Sequence, residues 1–167
     1  MSHSAADALF RGSRTNLRPE PQPEVRPRRT RRQTVAALQG VPMFSGFSRR
    51  HLERLAKATD ELAFAPGEHI VEEGMLGETL FIVLEGRAKV LRGKRRIAAV
   101  LPGEFFGELS TLDGGPRTAS IVAETSVRVI RLFRRTLIEL LREEPRLTLD
   151  LLRGIAARIR EIDRRMH

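Results

Sequence analysis

Two short stretches carry most of the chemistry available to this chain: Phe106-Gly107-Glu108-Leu109-Ser110 and, after five intervening residues, Pro116-Arg117-Thr118-Ala119-Ser120. Together they place a turn glycine, a carboxylate, hydroxyls and several backbone N–H groups within reach of one arginine. Arg117 offers a planar fork of donors that meets phosphate oxygens in pairs, a charge-assisted interaction worth about 1.5–3 kcal/mol net of water. Gly107 lets the chain approach closely without a Cβ in the way. N–H groups at the start of a short helix near Gly107, and around Thr118 and Ala119, favour an anion. Glu108 would repel a phosphate, so its carboxylate needs another task. Pro116 stiffens the approach to Arg117. This is equipment for holding a small sugar phosphate, although an arginine and a glutamate taken alone also make an ordinary structural ion pair.

The surrounding pattern must position these groups. From Glu61 to Leu132, short apolar runs alternate with turn glycines at Gly67, Gly74, Gly77, Gly86, Gly93, Gly103, Gly114 and Gly115. Strands are predicted over Leu80–Leu84, Ala88–Leu91, Ile97–Leu101, Ile121–Ala123 and Val127–Leu132, with a turn at Gly93. Many short strands with few helices among them predict a barrel or roll. Ser48 can cap a helix that carries Leu52, Leu55 and Ala56 at helical spacing and ends near Thr59. Leu137, Leu140 and Leu141 share one face of a short helix, and Pro145 suits the first turn of another. On that last helix Leu152, Ile155, Ile159, Ile162 and Met166 recur at threes and fours, an apolar seam about two heptads long.

Read together, the two opening stretches resemble the phosphate-binding cassette of the cyclic-nucleotide-binding domain family, which reads much like F-G-E-[LI]-[AS], a short spacer, then R-[TSA]-A-[ST]. The spacing Phe64-x-Pro66-Gly67-Glu68-x-Ile70-x-x-Glu73-Gly74-x-x-Gly77, followed by Phe81-Ile82 and Gly86, is similar to the first half of that family's β-roll. The resemblance runs from Val41 to Met166, and the leader Val41-Pro42-Met43-Phe44-Ser45-Gly46-Phe47-Ser48 is similar to that of bacterial members. It implies a mainly β fold with flanking helices (α+β): an antiparallel β-roll with N-terminal helices, a short cassette helix and two C-terminal helices. It implies ligand binding by Phe106, Gly107, Glu108, Leu109, Ser110, Pro116, Arg117, Thr118 and Ala119, with Arg117 on the phosphate and Glu108 on the ribose 2′-hydroxyl. Counting from Pro145 puts Arg158, Ile159, Ile162 and Asp163 at base-covering positions. Ile159 and Ile162 also lie on the apolar seam, so core packing is an equally direct reading of them. The expected ligand is cAMP, with cGMP the alternative through the Thr118 hydroxyl.

At 167 residues the chain has room for one ordinary domain. The organisation expected is a disordered Arg/Pro-rich tail over 1–36, the nucleotide-binding roll over 37–144 and a lid or dimer helix over 145–167. The net charge is +9, and the tail supplies five of it through eight arginines set against Asp7, Glu20 and Glu24. There is no cysteine, hence no disulfide or thiolate metal site, and no apolar run approaches the roughly 20 residues that cross a bilayer. A cytoplasmic protein without membrane contact is the expectation. His3, His51, His69 and His167 are scattered, so neither catalysis nor a metal is expected, and no cofactor beyond the nucleotide ligand. The partners expected are the nucleotide, an unknown downstream protein and a second copy through residues 145–167.

Two other outputs compete. Arg31-Arg32-Gln33-Thr34-Val35 resembles the R-R-x-[ST]-hydrophobic segment read by cyclic-AMP-dependent kinase, which suggests a regulatory-subunit-like inhibitor. A transcription regulator lacking its own helix-turn-helix is the second. With the sequence ending at His167, specific DNA binding is not expected.

Overall fold

The computed structural model describes residues 29–166 of the chain. The first helix, α1 (Arg31–Gln39), begins inside the stretch read as a tail, whose first 28 residues lie outside the described part. Its start is a reciprocal cap: the Thr30 hydroxyl accepts from the Gln33 N–H, and the Gln33 side chain accepts from the Thr30 N–H. Val35 and Leu38 then bury one face against the domain. The tail boundary at residue 36 is therefore corrected. Arginines dominate the composition of 29–36, but two apolar residues at helical spacing and a good cap suffice to dock a helix.

A 3-10 turn at Pro42–Phe44 leads to α2 (Arg49–Lys57), where Ser48 accepts from the His51 N–H as the expected cap. Eight strands follow: β1 (Thr59–Phe64), β2 (His69–Val71), β3 (Thr79–Glu85), β4 (Ala88–Arg92), β5 (Arg95–Val100), β6 (Phe105–Phe106), β7 (Ser120–Ala123) and β8 (Val127–Phe133). The short helix α3 (Glu108–Asp113) interrupts them between β6 and β7, and α4 (Arg134–Glu143) and α5 (Pro145–Met166) close the chain. The strands form two antiparallel four-stranded sheets, ordered β1-β8-β3-β6 and β2-β7-β4-β5. This is the antiparallel β-roll with flanking helices that the family resemblance implied, and the barrel or roll that the turn-glycine pattern predicted.

Alternation along the strands gives the domain two cores. Leu62, Phe64, Phe81, Val83, Val127 and Val129 point between the sheets and meet Val71, Ile121 and Ala123. Leu80, Ile82, Ile130 and Leu132, on the other face of the first sheet, meet Leu38, Phe44, Leu52, Leu55, Leu137, Leu147 and Leu151 from the helices. Neighbouring residues of a strand face opposite ways, so the two phenylalanines of β6 split. Phe106 stacks on Phe81 inside the roll at 5.1 Å, whereas Phe105 joins the helical core. The cassette thus starts from a dipeptide anchored in both cores.

The last helix corrects the expected seam. Leu147 and Leu151 are buried, and Ile155, Arg158 and Ile162 continue that face half-buried. Leu152, Ile159 and Met166 are instead 57%, 61% and 73% exposed, with Leu149 beside them. At about 100° per residue, the apolar arc of α5 covers more than half its circumference, too wide for one contact to bury. One seam in the sequence is two stripes in the fold, one on the domain and one facing out.

Candidate nucleotide-binding site

The sharp turn into α3 is where the site begins. Gly107 has φ +83°, and a Cβ there would lie 2.6 Å from Arg117 Nη1 and 2.7 Å from the Thr79 carbonyl oxygen. The glycine is needed twice, for the left-handed backbone and for the close approach of the arginine. Arg117 itself is 3% exposed. Its Nη1 donates to the Thr79 carbonyl at 2.9 Å, the Gly107 carbonyl at 3.2 Å and Ser110 Oγ at 2.7 Å. Its Nη2 donates to Thr79 Oγ1 at 3.0 Å. A guanidinium does not lose its proton, so burial of this charge is made tolerable by acceptors on several sides.

The backbone of the second stretch is clipped as firmly. The Arg117 N–H donates to the Met75 carbonyl at 2.9 Å, and the Gly74 N–H donates back to the Arg117 carbonyl at 2.8 Å. Ser120 Oγ accepts from the Glu73 N–H at 2.9 Å, and the Glu73 carboxylate accepts from the Gly93 N–H at 2.7 Å. The Glu73-Gly74 signature is therefore a brace: it ties the arginine stretch to the β2–β3 turn and to the β4–β5 hairpin.

Glu108 is 5% exposed. Its two carboxylate oxygens each accept from Nη1 of Arg158 at 2.8 Å. The guanidinium of Arg158 also lies over the Phe105 ring, 4.7 Å from its centroid. Arg158, expected over a base, joins α5 to the cassette carboxylate. Further along, Arg165 Nη1 donates to the Ile97 carbonyl on the edge strand β5.

These groups surround a cavity of about 840 Å3 between the second sheet, the cassette and α5. Phe106, Gly107, Glu108, Leu109, Ser110, Arg117, Thr118 and Ala119 line it, as do Arg158, Ile159 and Ile162. Pro116 and Asp163 do not: Pro116 bridges to Leu76, and Asp163 is exposed on α5. Leu109 is 43% exposed and Ile159 is 61% exposed, so each offers the cavity only part of its surface. Phe105 and Gly154 also belong to this wall, and the sequence reading passed over both. A glycine inside an otherwise helical run was the available signal. Among the described residues no cluster of three metal-ligating side chains occurs.

The cyclic nucleotide-binding domain family model matches residues 61–144, which takes in both cassette stretches. The chain belongs to this family. Among its relatives, a cyclic AMP receptor protein of Thermus thermophilus is 34% identical over 131 residues, 75% of this chain and 61% of the relative. A cAMP-dependent protein kinase regulatory subunit of Aspergillus fumigatus is 36% identical over 106 residues, 62% of this chain but 26% of that one. In structure, the regulatory domain of Toxoplasma gondii PKA with cAMP superimposes with a TM-score of 0.66 at 27% identity, covering 76% of this chain and 49% of that one. The chain therefore spans between a quarter and two thirds of the proteins it is compared with here. No described helix is long and apolar enough to cross a membrane.

Proposed function

We propose that this chain is a non-catalytic cyclic-nucleotide sensor that binds cAMP in the cavity beside Arg117 and passes the occupied state on through α5. The observation that carries this reading is the buried, multiply accepted guanidinium of Arg117 at the wall of a nucleotide-sized cavity. A phosphodiester entering there competes with Ser110 Oγ and the Gly107 carbonyl for the Nη1 donors. Exchange of neutral acceptors for a charged one favours the ligand. Thr118 and Ala119 complete the phosphate end, and Glu108 accepts the ribose hydroxyl while still facing Arg158. Ile155, Ile159 and Ile162 give the purine an apolar cover.

Cyclic AMP is the ligand proposed, with cyclic GMP the alternative through the Thr118 hydroxyl at the cavity wall. Signal output follows from α5 being attached to the site through its own side chains: a ligand that changes the partner of Glu108 changes what Arg158 holds. The outward stripe of Leu149, Leu152, Ile159 and Met166 is the surface by which α5 pairs with a second copy, since about 1,200 Å2 or more of such contact is needed for a stable dimer and a 22-residue helix can supply much of it.

The kinase-inhibitor alternative loses support from α1. Thr34 is half-buried in the helix, its N–H donates to the Thr30 carbonyl at 2.9 Å, and Val35 is 7% exposed. A kinase that read this segment extended would first have to unwind α1. Calorimetric titration with cAMP and cGMP tests the main reading: micromolar or tighter cAMP binding supports it, and absence of heat with either nucleotide at about a hundred times that concentration rejects it.

A further inference from the structure

We propose that Gly154 is the seat of α5: a notch without a side chain that receives the Phe105 ring and thereby sets the position from which Arg158 reaches Glu108. This extends the sensor reading above, because it names what holds the helix over the cavity. Gly154 lies in the tenth position of a 22-residue helix, where alanine would be the better helix former. Its place is explained by space. A Cβ built there would stand 2.5 Å from Phe105 Cζ and 2.6 Å from Cε1. The ring lies against the bare backbone of the helix one turn before Arg158, and the Arg158 guanidinium covers it at 4.7 Å from the centroid.

The ring has little freedom to yield. Phe105 is 7% exposed in the helical core, and its backbone pairs with Ile82 in β3, with Phe106 anchored on the opposite side of the sheet. Relief of the contact therefore falls on the helix, which must withdraw by roughly 1–1.5 Å to restore an ordinary carbon–carbon separation. A displacement of that size takes Arg158 Nη1 from 2.8 Å to beyond hydrogen-bonding range of Glu108. Gly154 touches no carboxylate, and it acts as a positioning residue through Phe105 and Arg158.

The test uses the full chain with Gly154→Ala, Phe105→Leu and the double variant. Hydrogen exchange of residues 145–166 without nucleotide, thermal melting and cAMP titration are measured on each. The expected result is faster exchange of α5 and a lower melting temperature for Gly154→Ala alone, with cAMP affinity weakened roughly fivefold or more. In the Phe105→Leu background the same substitution has room, so helix propensity alone acts and the sign of its effect on melting reverses. Unchanged or slower exchange in Gly154→Ala overturns the proposal, and so do effects that simply add in the double variant. If Gly154→Ala alone does not fold, the melting comparison within the Phe105→Leu background still decides: stabilisation supports the seat and destabilisation overturns it. If the unsubstituted chain gives no heat with cAMP, the sensor reading fails, while exchange and melting continue to judge the seat.

Discussion

Arg158 and Glu108, 50 residues apart in sequence, share one Nη1 that donates to both carboxylate oxygens at 2.8 Å. The pair joins the first residue of the cassette helix to the middle of the C-terminal helix. Arg158 is about a third exposed while Glu108 is buried, so the carboxylate is the member that suffers when the partner is removed. Substituting Arg158→Ala is expected to loosen α5, read as faster hydrogen exchange over 145–166, and to leave the strand amides protected.

Glu108→Gln keeps the size of the side chain and removes the charge. Selectivity for cAMP over its 2′-deoxy analogue is expected to fall by about tenfold, the loss of one charge-assisted hydrogen bond. Paired calorimetric titrations measure it. Equal selectivity in both proteins would show that Glu108 serves α5 alone.

Arg117→Lys preserves a positive charge but not the fork. About 1.5–3 kcal/mol of binding free energy should disappear, a weakening of cAMP by roughly 10- to 150-fold. Because Arg117 also donates to Thr79 and Ser110, a melting curve must accompany the titration to separate lost binding from lost structure.

Gly107→Ala places a Cβ 2.6 Å from Arg117 Nη1 in a left-handed backbone. A loss of about 2–3 kcal/mol is expected from the backbone conformation and the displaced arginine. Differential scanning calorimetry should register this as a drop of roughly 5–10 °C.

On the helical side, Arg54 donates to both oxygens of Glu143 at 2.7 and 3.1 Å, and that hydrogen bonding holds the Glu143 carboxyl below its ordinary value. A depressed folded-state value means that the contribution is present above the unfolded value and disappears as pH falls through the folded one. Glu143→Gln should therefore flatten the acid limb of the melting temperature against pH: the variant melts slightly lower than the parent at neutral pH and the two converge as the carboxyl protonates, a small effect because both groups are exposed.

Much of this could be read beforehand, for reasons visible in particular residues. Ser48 capped α2 because a hydroxyl three residues before a free N–H has one obvious use. The strand at Leu80–Leu84 announced itself as an apolar run between Gly77 and Gly86, since both its faces are covered. Three features escaped. The helix at Arg31 was masked by arginines whose charge says nothing about the two apolar residues beneath them, although Thr30-x-x-Gln33 was there to be read. The seam on α5 looked single because periodicity reports an angle, not what stands opposite it. Phe105 and Gly154 are 49 residues apart, and only the fold makes the absence of a side chain at one the complement of a ring at the other.

The placement of Thr34 in the second turn of α1 has a consequence of its own. An enzyme that modifies this hydroxyl from an extended substrate must wait for the helix to unwind and for Val35 to leave the core. The rate of its modification would then measure how often the amino-terminal cap opens, which turns an apparent recognition sequence into a clock for local unfolding.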